Sequence, residues 1–477
     1  MTGFSRRNFI AAAGGALASS AMLGGTLDVL ASTADGKVAP VGPGSKYVPK
    51  IKATFVRREG EYGMRWPGQI YDGEAALKNY TRRLESAAEE MGIQLDLRAK
   101  PIYSGEEADK WVAEVEAQTP DGLLVVVLDR QQHAWPTVAK AADSGIPSVI
   151  FSPLGTSFTT NTDRLAHREG VYIASTDDFS RVVYGMRMLK AGARLREMRF
   201  IVLEGNERKD SRLEHLGTRL RYVPAKSFVE EYNRTPLSDE IKRVAAGYLR
   251  QATRIHGPSE QDVLNGVKSF VVARSILERE QGDGITMDCL GAVGPTKVSL
   301  PCISWSWMND QGVPAACEAD LGACVTHALV QYLFDRPGFQ QDPVADTSKD
   351  CLIGSHCCCA TRLNGFGKPA EPFSLANHHG KRDATPITAW KIGQRVTVAD
   401  VLLPGGDKPE MLISAGEVVE NLSVPPSGGC VVAVMVKVDG VDEVLDFPGF
   451  HQLFFYGDYK RELKQYCQLF GIKARVV

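Results

Sequence analysis

Two carboxylates stand one residue apart in Cys317-Glu318-Ala319-Asp320, at the mouth of an apolar run from Leu321 to Asp335. Downstream lie His356, in Gly354-Ser355-His356-Cys357, and His451, in Phe447-Pro448-Gly449-Phe450-His451. Carboxylate oxygen and imidazole nitrogen are the ligands a divalent metal takes when it must also hold an oxygen-rich substrate. Each residue has a structural reading beside the chemical one. Asp320 is well placed to cap the helix predicted after it, and Glu318 to complement that helix's dipole. His356 ends a strand-like Cys351-Leu352-Ile353, where a histidine is ordinarily hydrogen-bonded into the frame. His451 sits beside an aromatic at the start of a further strand.

The elements that must position these groups fall into three blocks. From Ile51 to Phe151, strand-like runs (Ile51 to Arg57, Ile93 to Leu97, Gly122 to Asp129, Ile146 to Phe151) alternate with helical patterns (Glu74 to Met91, Trp111 to Ala117, Thr137 to Ser144). The run from Gly122 to Leu128 is apolar throughout, as in a parallel strand buried on both faces. Such alternation predicts βαβ units and a flavodoxin-like or binding-protein-like sheet. The pattern restarts with a helix over Asp178 to Leu195, a strand over Met198 to Glu204 and a helix over Lys226 to Glu231. Gln251 to Arg279 reads as largely helical, before a strand from Gly284 to Cys289. After the helix from Leu321, β-rich runs at Val396 to Leu403, Met411 to Val418, Gly429 to Val438 and Val441 to Leu445 predict an antiparallel barrel or sandwich. A helix over Lys460 to Phe470 and a strand over Ile472 to Val476 close the chain. The expected fold class is α/β: two Rossmann-like or flavodoxin-like domains, at 46–175 and 176–313, followed by a β-rich, barrel-like domain at 314–477.

With 44% apolar and 23% charged residues among 477, the chain can bury more than one core, and its net charge of −2 gives no sign of a nucleic-acid partner. Ser5-Arg6-Arg7-Asn8-Phe9-Ile10, a weakly apolar Ala11 to Leu30 and Ser32-Thr33-Ala34 read as a twin-arginine export signal over 1–34. A periplasmic or otherwise exported protein is expected, with no membrane span once the signal is removed. The ten cysteines all lie between Cys289 and Cys467, without C-x-x-C spacing. A zinc ribbon or thioredoxin-type pair is therefore unsupported; the thiols either pack as small hydrophobes or pair in the oxidising compartment, with connectivity open. Nucleotide-binding glycine loops, a G-x-S-x-G elbow and an H-E-x-x-H pair are all missing.

From about Asp288 onward the sequence resembles the L-fucose/L-arabinose isomerase family. The phrases that carry this are Met308-Asn309-Asp310-Gln311-Gly312-Val313-Pro314, Cys317-Glu318-Ala319-Asp320, Gly354-Ser355-His356-Cys357, His378-His379, Gly393 to Val401, and Phe450-His451 with Tyr456-Gly457-Asp458. The resemblance implies a C-terminal domain of isomerase type and an aldose–ketose interconversion through an enediol at a manganese-type divalent ion. It matches Glu318, His356 and His451 to metal ligands, and Asp320 to a carboxylate at metal and substrate. Asp342, in Gln340-Gln341-Asp342, lies beside the place of a further acidic ligand. Asp320, with Glu318, is then the expected catalytic carboxylate. His379 matches a substrate-side histidine, with a solvated turn as its plainer reading. Trp305 and Trp307, spaced to share one face of a strand, are either core residues or a sugar-stacking platform. Where the family's fucose-type members carry a second catalytic Glu, this chain reads Ser304-Trp305-Ser306-Trp307. The expectation is a metal-dependent isomerase-like protein acting on a sugar, as a homo-oligomer. Its rival is a non-catalytic exported carbohydrate-binding or sensing protein on the same fold, favoured by the missing Glu and by the export signal.

Overall fold

The structure is a computed structural model and describes residues 36–477 apart from 66–69, 131, 379–382, 405–407, 424–428 and 442. The export signal and His379 lie outside the described residues. The first sheet holds β1 (Lys50–Val56), β2 (Gln94–Leu97), β3 (Gly122–Val127), β4 (Ser148–Ser152) and β5 (Val171–Ser175), in the order β2-β1-β3-β4-β5. All its pairings are parallel. α1 (Gly73–Met91), α2 (Gly105–Gln118) and α3 (Ala134–Asp143) connect its first four strands. β3 is buried at every position, which is why its sequence shows no alternation.

After α4 (Ser180–Glu197) the second sheet is built from β6 (Arg199–Leu203), β7 (Lys209–Leu213), β8 (Thr218–Val223), β9 (Gly284–Met287) and β10 (Ala315–Cys317). Its order is β10-β9-β6-β8-β7, parallel except that β7 returns antiparallel along β8. The sequence reading missed β7 and β8. β7 reads Lys-Asp-Ser-Arg-Leu and is exposed along most of its length, so it offers no apolar period; its charges blunt a sheet edge. The helical stretch expected over 251–279 is divided between helices Asp239–Gln251 and Glu260–Glu280, with a two-residue strand, Ile255–His256, between them. Gly257, at φ +104°, supplies the break.

Trp305 and Trp307 do not lie on a strand. They belong to α5 (Cys302–Asp310), where residues two apart point to different sides. Trp305 is fully buried and donates its Nε1–H to Ala316 O at 2.7 Å. Trp307 stacks on Phe270, with ring centroids 4.3 Å apart. Asn309, one turn on, brackets Ala315 by donating to its carbonyl at 2.8 Å and accepting its N–H at 3.2 Å. Gln340 accepts the Cys317 N–H at 2.8 Å. The free edge of β10 is thus paired by side chains, which fixes the strand that delivers Glu318.

α6 (Leu321–Phe334) runs from the end of β10 and packs between the second sheet and the C-terminal β domain; it is buried along nearly its whole length. That domain is a closed antiparallel barrel of β11 (Phe339–Asp346), β12 (Cys351–His356), β13 (Arg395–Leu402), β14 (Glu410–Asn421), β15 (Val432–Val438) and β16 (Gln452–Tyr456). The order is β13-β16-β11-β12-β15-β14, and β14 pairs back to β13 over eight positions. Closure removes the sheet edges. β17 (Lys473–Val476) adds in parallel to β14, following α7 (Lys460–Phe470). The strand expected at Val441 to Leu445 is instead a single 3-10 turn, Val444–Asp446. Among the described residues no helix is long and apolar enough to cross a membrane.

Candidate functional site

Three ends of the fold meet at one place. β10 leaves the second sheet, and Glu318 and Ala319 then take left-handed backbone conformations at φ +61° and +56°. The pair turns the chain from strand to helix, and Asp320 caps α6 by accepting the Ala323 N–H at 2.7 Å. In the barrel, β11 lies between β12 and β16, with Asp342 opposite Ser355 and Gln341 opposite Gln452. That register brings Asp342 beside His356 and His451. His451 is itself left-handed, at φ +61°. Three non-glycine residues in this region cost roughly 1–3 kcal/mol each, and such outliers collect at sites where geometry is held for use.

His451 is the centre of the cluster. Its Nδ1–H donates to Asp320 Oδ2 at 2.9 Å, while its Nε2 lies 3.1 Å from Asp342 Oδ1 and 3.4 Å from Glu318 Oε2. Burial alone would lower this imidazole; the carboxylates of Asp320, Asp342 and Glu318 outweigh it and lift the group to about 11. His356 Nε2 stands 3.9 Å from both Glu318 Oε1 and Asp342 Oδ1. On its other side, His356 Nδ1 accepts the backbone N–H of Cys357 at 2.9 Å. With Nδ1 accepting, His356 presents its Nε2 hydrogen toward the carboxylates; burial lowers the imidazole, but the Cys357 and Cys358 thiols outweigh it and raise the group well above its ordinary value. His451 has the opposite arrangement, with its Nδ1 hydrogen bound outward and Nε2 facing the site.

His356 Nε2, His451 Nε2 and Asp342 Oδ1 are buried and have no hydrogen-bond partner, although they lie this close together. Two ligands at right angles about one ion, each about 2.1 Å away, are about 3.0 Å apart. The spacings of 3.1 and 3.4 Å around His451 Nε2 suit that arrangement. Glu318, His356 and His451 each offer one ligand atom within 4.8 Å of the others, and His451 is oriented by the carboxylate of Asp320 behind it. His356, by its tautomer, is prepared as a donor into the same space.

Of the residues singled out from sequence, Glu318, Asp342, His356 and His451 are brought together. Asp320 is adjacent, but both its oxygens are engaged, one by the Ala323 N–H and one by His451. Trp305 and Trp307 are kept away, in the packing of α5. One contributor escaped the sequence reading. Phe450 is 61% exposed, and its ring lies 4.3 Å from that of His451, tilted by 36°. It offers an aromatic face at the rim of the polar cluster. Nothing in Pro448-Gly449-Phe450 marks that ring as exposed rather than core.

No protein-family model matches the chain, and no curated protein matches it. Solved structures give only loose likenesses. One is an ABC transporter solute-binding protein from Burkholderia multivorans: 14% identity, 52% of this chain and 83% of that chain, TM-score 0.19. A second is a sugar ABC transporter's sugar-binding protein from Bacillus halodurans, with 14% identity, 71% of this chain and 97% of that chain, TM-score 0.18. A third is a sugar transporter from Clostridium phytofermentans, with 12% identity, 50% and 80% coverage, TM-score 0.18. The expected membership of the L-fucose/L-arabinose isomerase family is corrected here: neither a family model nor a curated relative supports it. The isomerase activity and the metal inherited from that family lose their warrant with it. What the cluster is able to hold rests on its own geometry.

Proposed function

We propose that this protein is an exported, non-catalytic carbohydrate-binding protein that takes its sugar at Glu318, Asp342, His356 and His451. The observation that carries the reading is the convergence of Glu318, Asp342, His356 and His451 at 3.1 to 3.9 Å, with His356 Nε2 buried and without a hydrogen-bond partner, beside the exposed ring of Phe450. A buried polar atom left unpaired costs about 1–3 kcal/mol, and a ligand that pairs it is the economical explanation. Donors, acceptors and an aromatic face side by side suit a sugar ring, which has hydroxyls at its edge and an apolar C–H face.

Three carboxylates about one imidazole leave negative charge in excess even with His451 protonated. A divalent cation offsets that charge. Glu318, Asp342 and His451 would hold it, and it would supply coordination positions for neighbouring sugar hydroxyls. His356 donates its Nε2–H to a further sugar oxygen. Binding is favoured over turnover because a proton shuttle needs an uncommitted carboxylate. Both oxygens of Asp320 are engaged, and Ser304 to Ser306 lie buried in α5. The twin-arginine motif at Ser5 to Ile10 supports the exported address. The reading accords with the printed names of the sugar-binding proteins above and does not rest on them.

The test is calorimetric titration of chelator-treated protein with a panel of neutral mono- and disaccharides, with and without Mn2+ or Ca2+. Saturable heat with at least one sugar, strengthened by the ion, is expected. A panel in which no sugar binds in either state rules the reading out.

A further inference from the structure

Behind His356, on the side away from the carboxylates, five of the ten cysteines meet. Cys302 on α5, Cys317 at the end of β10, and Cys357 and Cys358 after β12 are buried, as is Cys289 after β9. Cys317 Sγ lies 3.4 Å from Cys358 Sγ, and Cys302 Sγ lies 3.8 Å from His378 Nδ1. Cys357 Sγ is 3.4 Å and Cys358 Sγ 3.9 Å from His356 Nδ1. Two triads result, Cys302–Cys357–His378 and Cys317–Cys358–His356, each with its ligand atoms within 4.8 Å of one another. The triads adjoin at Cys357, which is in hydrogen-bond contact with Cys302, Cys317 and Cys358.

Packing as small hydrophobes does not explain this grouping. The other cysteines show what such packing looks like here. Cys467 rests against Met411 Sδ at 3.6 Å, Cys324 points to the Ile285 carbonyl at 3.7 Å, and Cys359 lies in the barrel core. Around a tetrahedral ion with metal–sulfur distances of about 2.3 Å, neighbouring sulfurs stand about 3.8 Å apart and sulfur–nitrogen pairs about 3.5 Å. Within the triads, Cys302–His378 at 3.8 Å, Cys358–His356 at 3.9 Å and Cys317–Cys358 at 3.4 Å lie within about 0.4 Å of those values. The His378 backbone N–H donates to Asp383 Oδ1 at 2.7 Å.

We infer that this buried cluster is a second ligand site, taking one thiophilic d10 ion, Zn2+ or Cu+, at Cys302, Cys357 and His378, with Cys317 and Cys358 on its far side. Softness separates it from the carboxylate site: thiolates select such ions, and carboxylates with imidazole accept harder ones. Each thiol that ligates gives up one proton to solvent, so loading is a metal-for-proton exchange with no change of oxidation state.

The full chain, reduced and anaerobic, is titrated with Co2+ as a spectroscopic stand-in for Zn2+, and with Cu+ against a chromogenic chelator. We expect about one equivalent of Co2+ to give thiolate-to-cobalt charge-transfer absorption, displaced by Zn2+. A copper site retains Cu+ against the chelator in excess Zn2+, whereas a zinc site gives up Cu+ to the chelator under the same conditions. The Cys302→Ser/Cys357→Ser double variant should lose the absorption, whereas Cys467→Ser keeps it. Charge-transfer absorption absent from the wild-type chain overturns the inference whether or not the double variant folds. So does its survival in that variant, or a Cys317–Cys358 disulfide in peptide mass spectra of freshly isolated protein.

Discussion

Asp320 receives the Nδ1 hydrogen of His451 at 2.9 Å, although 131 residues separate the two in sequence. The other oxygen of the same carboxylate caps α6 through Ala323. One side chain therefore starts a helix and orients the imidazole at the centre of the site. These two tasks call for different chemistry. Capping needs only an acceptor, whereas orienting an imidazole for a cation is best done by a full negative charge.

Asp320→Asn and Asp320→Ala separate the tasks. The Asn variant keeps an acceptor for the Ala323 N–H, so its urea midpoint should stay close to wild type while its affinity for Mn2+ falls by about 10–100-fold. The Ala variant should show the same loss of affinity together with a stability loss of about 1 kcal/mol. Unchanged ion affinity in both variants, measured by calorimetry, removes Asp320 from the site.

Phe450→Ala tests the aromatic face. The ring is 61% exposed, so its removal should leave the melting temperature within about 1 °C of wild type. Sugar affinity should drop by roughly tenfold, the size of one aromatic contact. Phe450→Trp should restore it. A melting temperature that falls steeply instead shows that the ring is structural.

His327, on α6, is fully buried, and neither ring nitrogen has a hydrogen-bond partner. Burial holds its imidazole down at about 3, against an ordinary 6.5. The unfolded chain therefore binds one more proton than the folded chain between those values, so stability is full above about pH 6.5 and is lost as the pH falls. The loss amounts to up to about 1.4 kcal/mol per pH unit. His327→Leu removes the titrating group and should flatten this limb while matching wild type at neutral pH. Urea midpoints for both chains at several pH values between 7 and 4 decide the matter; parallel curves refute it.

Export depends on Arg6 and Arg7 in the proposed reading. Replacing both with Lys should leave the chain in the cytoplasm, as fractionation would report. Normal export of the double variant discards the twin-arginine assignment.

Much of the scaffold is legible in the sequence because burial on both faces writes long apolar runs, as from Gly122 to Val127, and because helices such as Leu321 to Phe334 carry their own caps. Glu318, His356 and His451 stand out by residue type, since few side chains combine charge or imidazole with such apolar flanks. Legibility fails where the signal is short or reversed. Cys302 to Asp310 is nine residues long, too few for a helical period to overrule the strand-like look of Ser-Trp-Ser-Trp. Lys209 to Leu213 is a strand without an apolar face. The gathering of Cys289, Cys302, Cys317, Cys357 and Cys358 is invisible because spacing along the chain says nothing once four separate elements deliver the thiols. The role of Phe450 depends on exposure, which its neighbours in sequence do not encode.

The distance along the chain between Asp320 and His451 also sets a calendar for synthesis. A ribosome that has just finished α6 has made one half of the pair, and the chain must wait through the entire barrel for the other. Until β16 is laid against β11, Glu318 and Asp320 face water with no imidazole between them. A chain whose barrel has not yet closed therefore holds Glu318 and Asp320 as a carboxylate pair without a counter-charge, and the arrival of His451 turns that pair into a site.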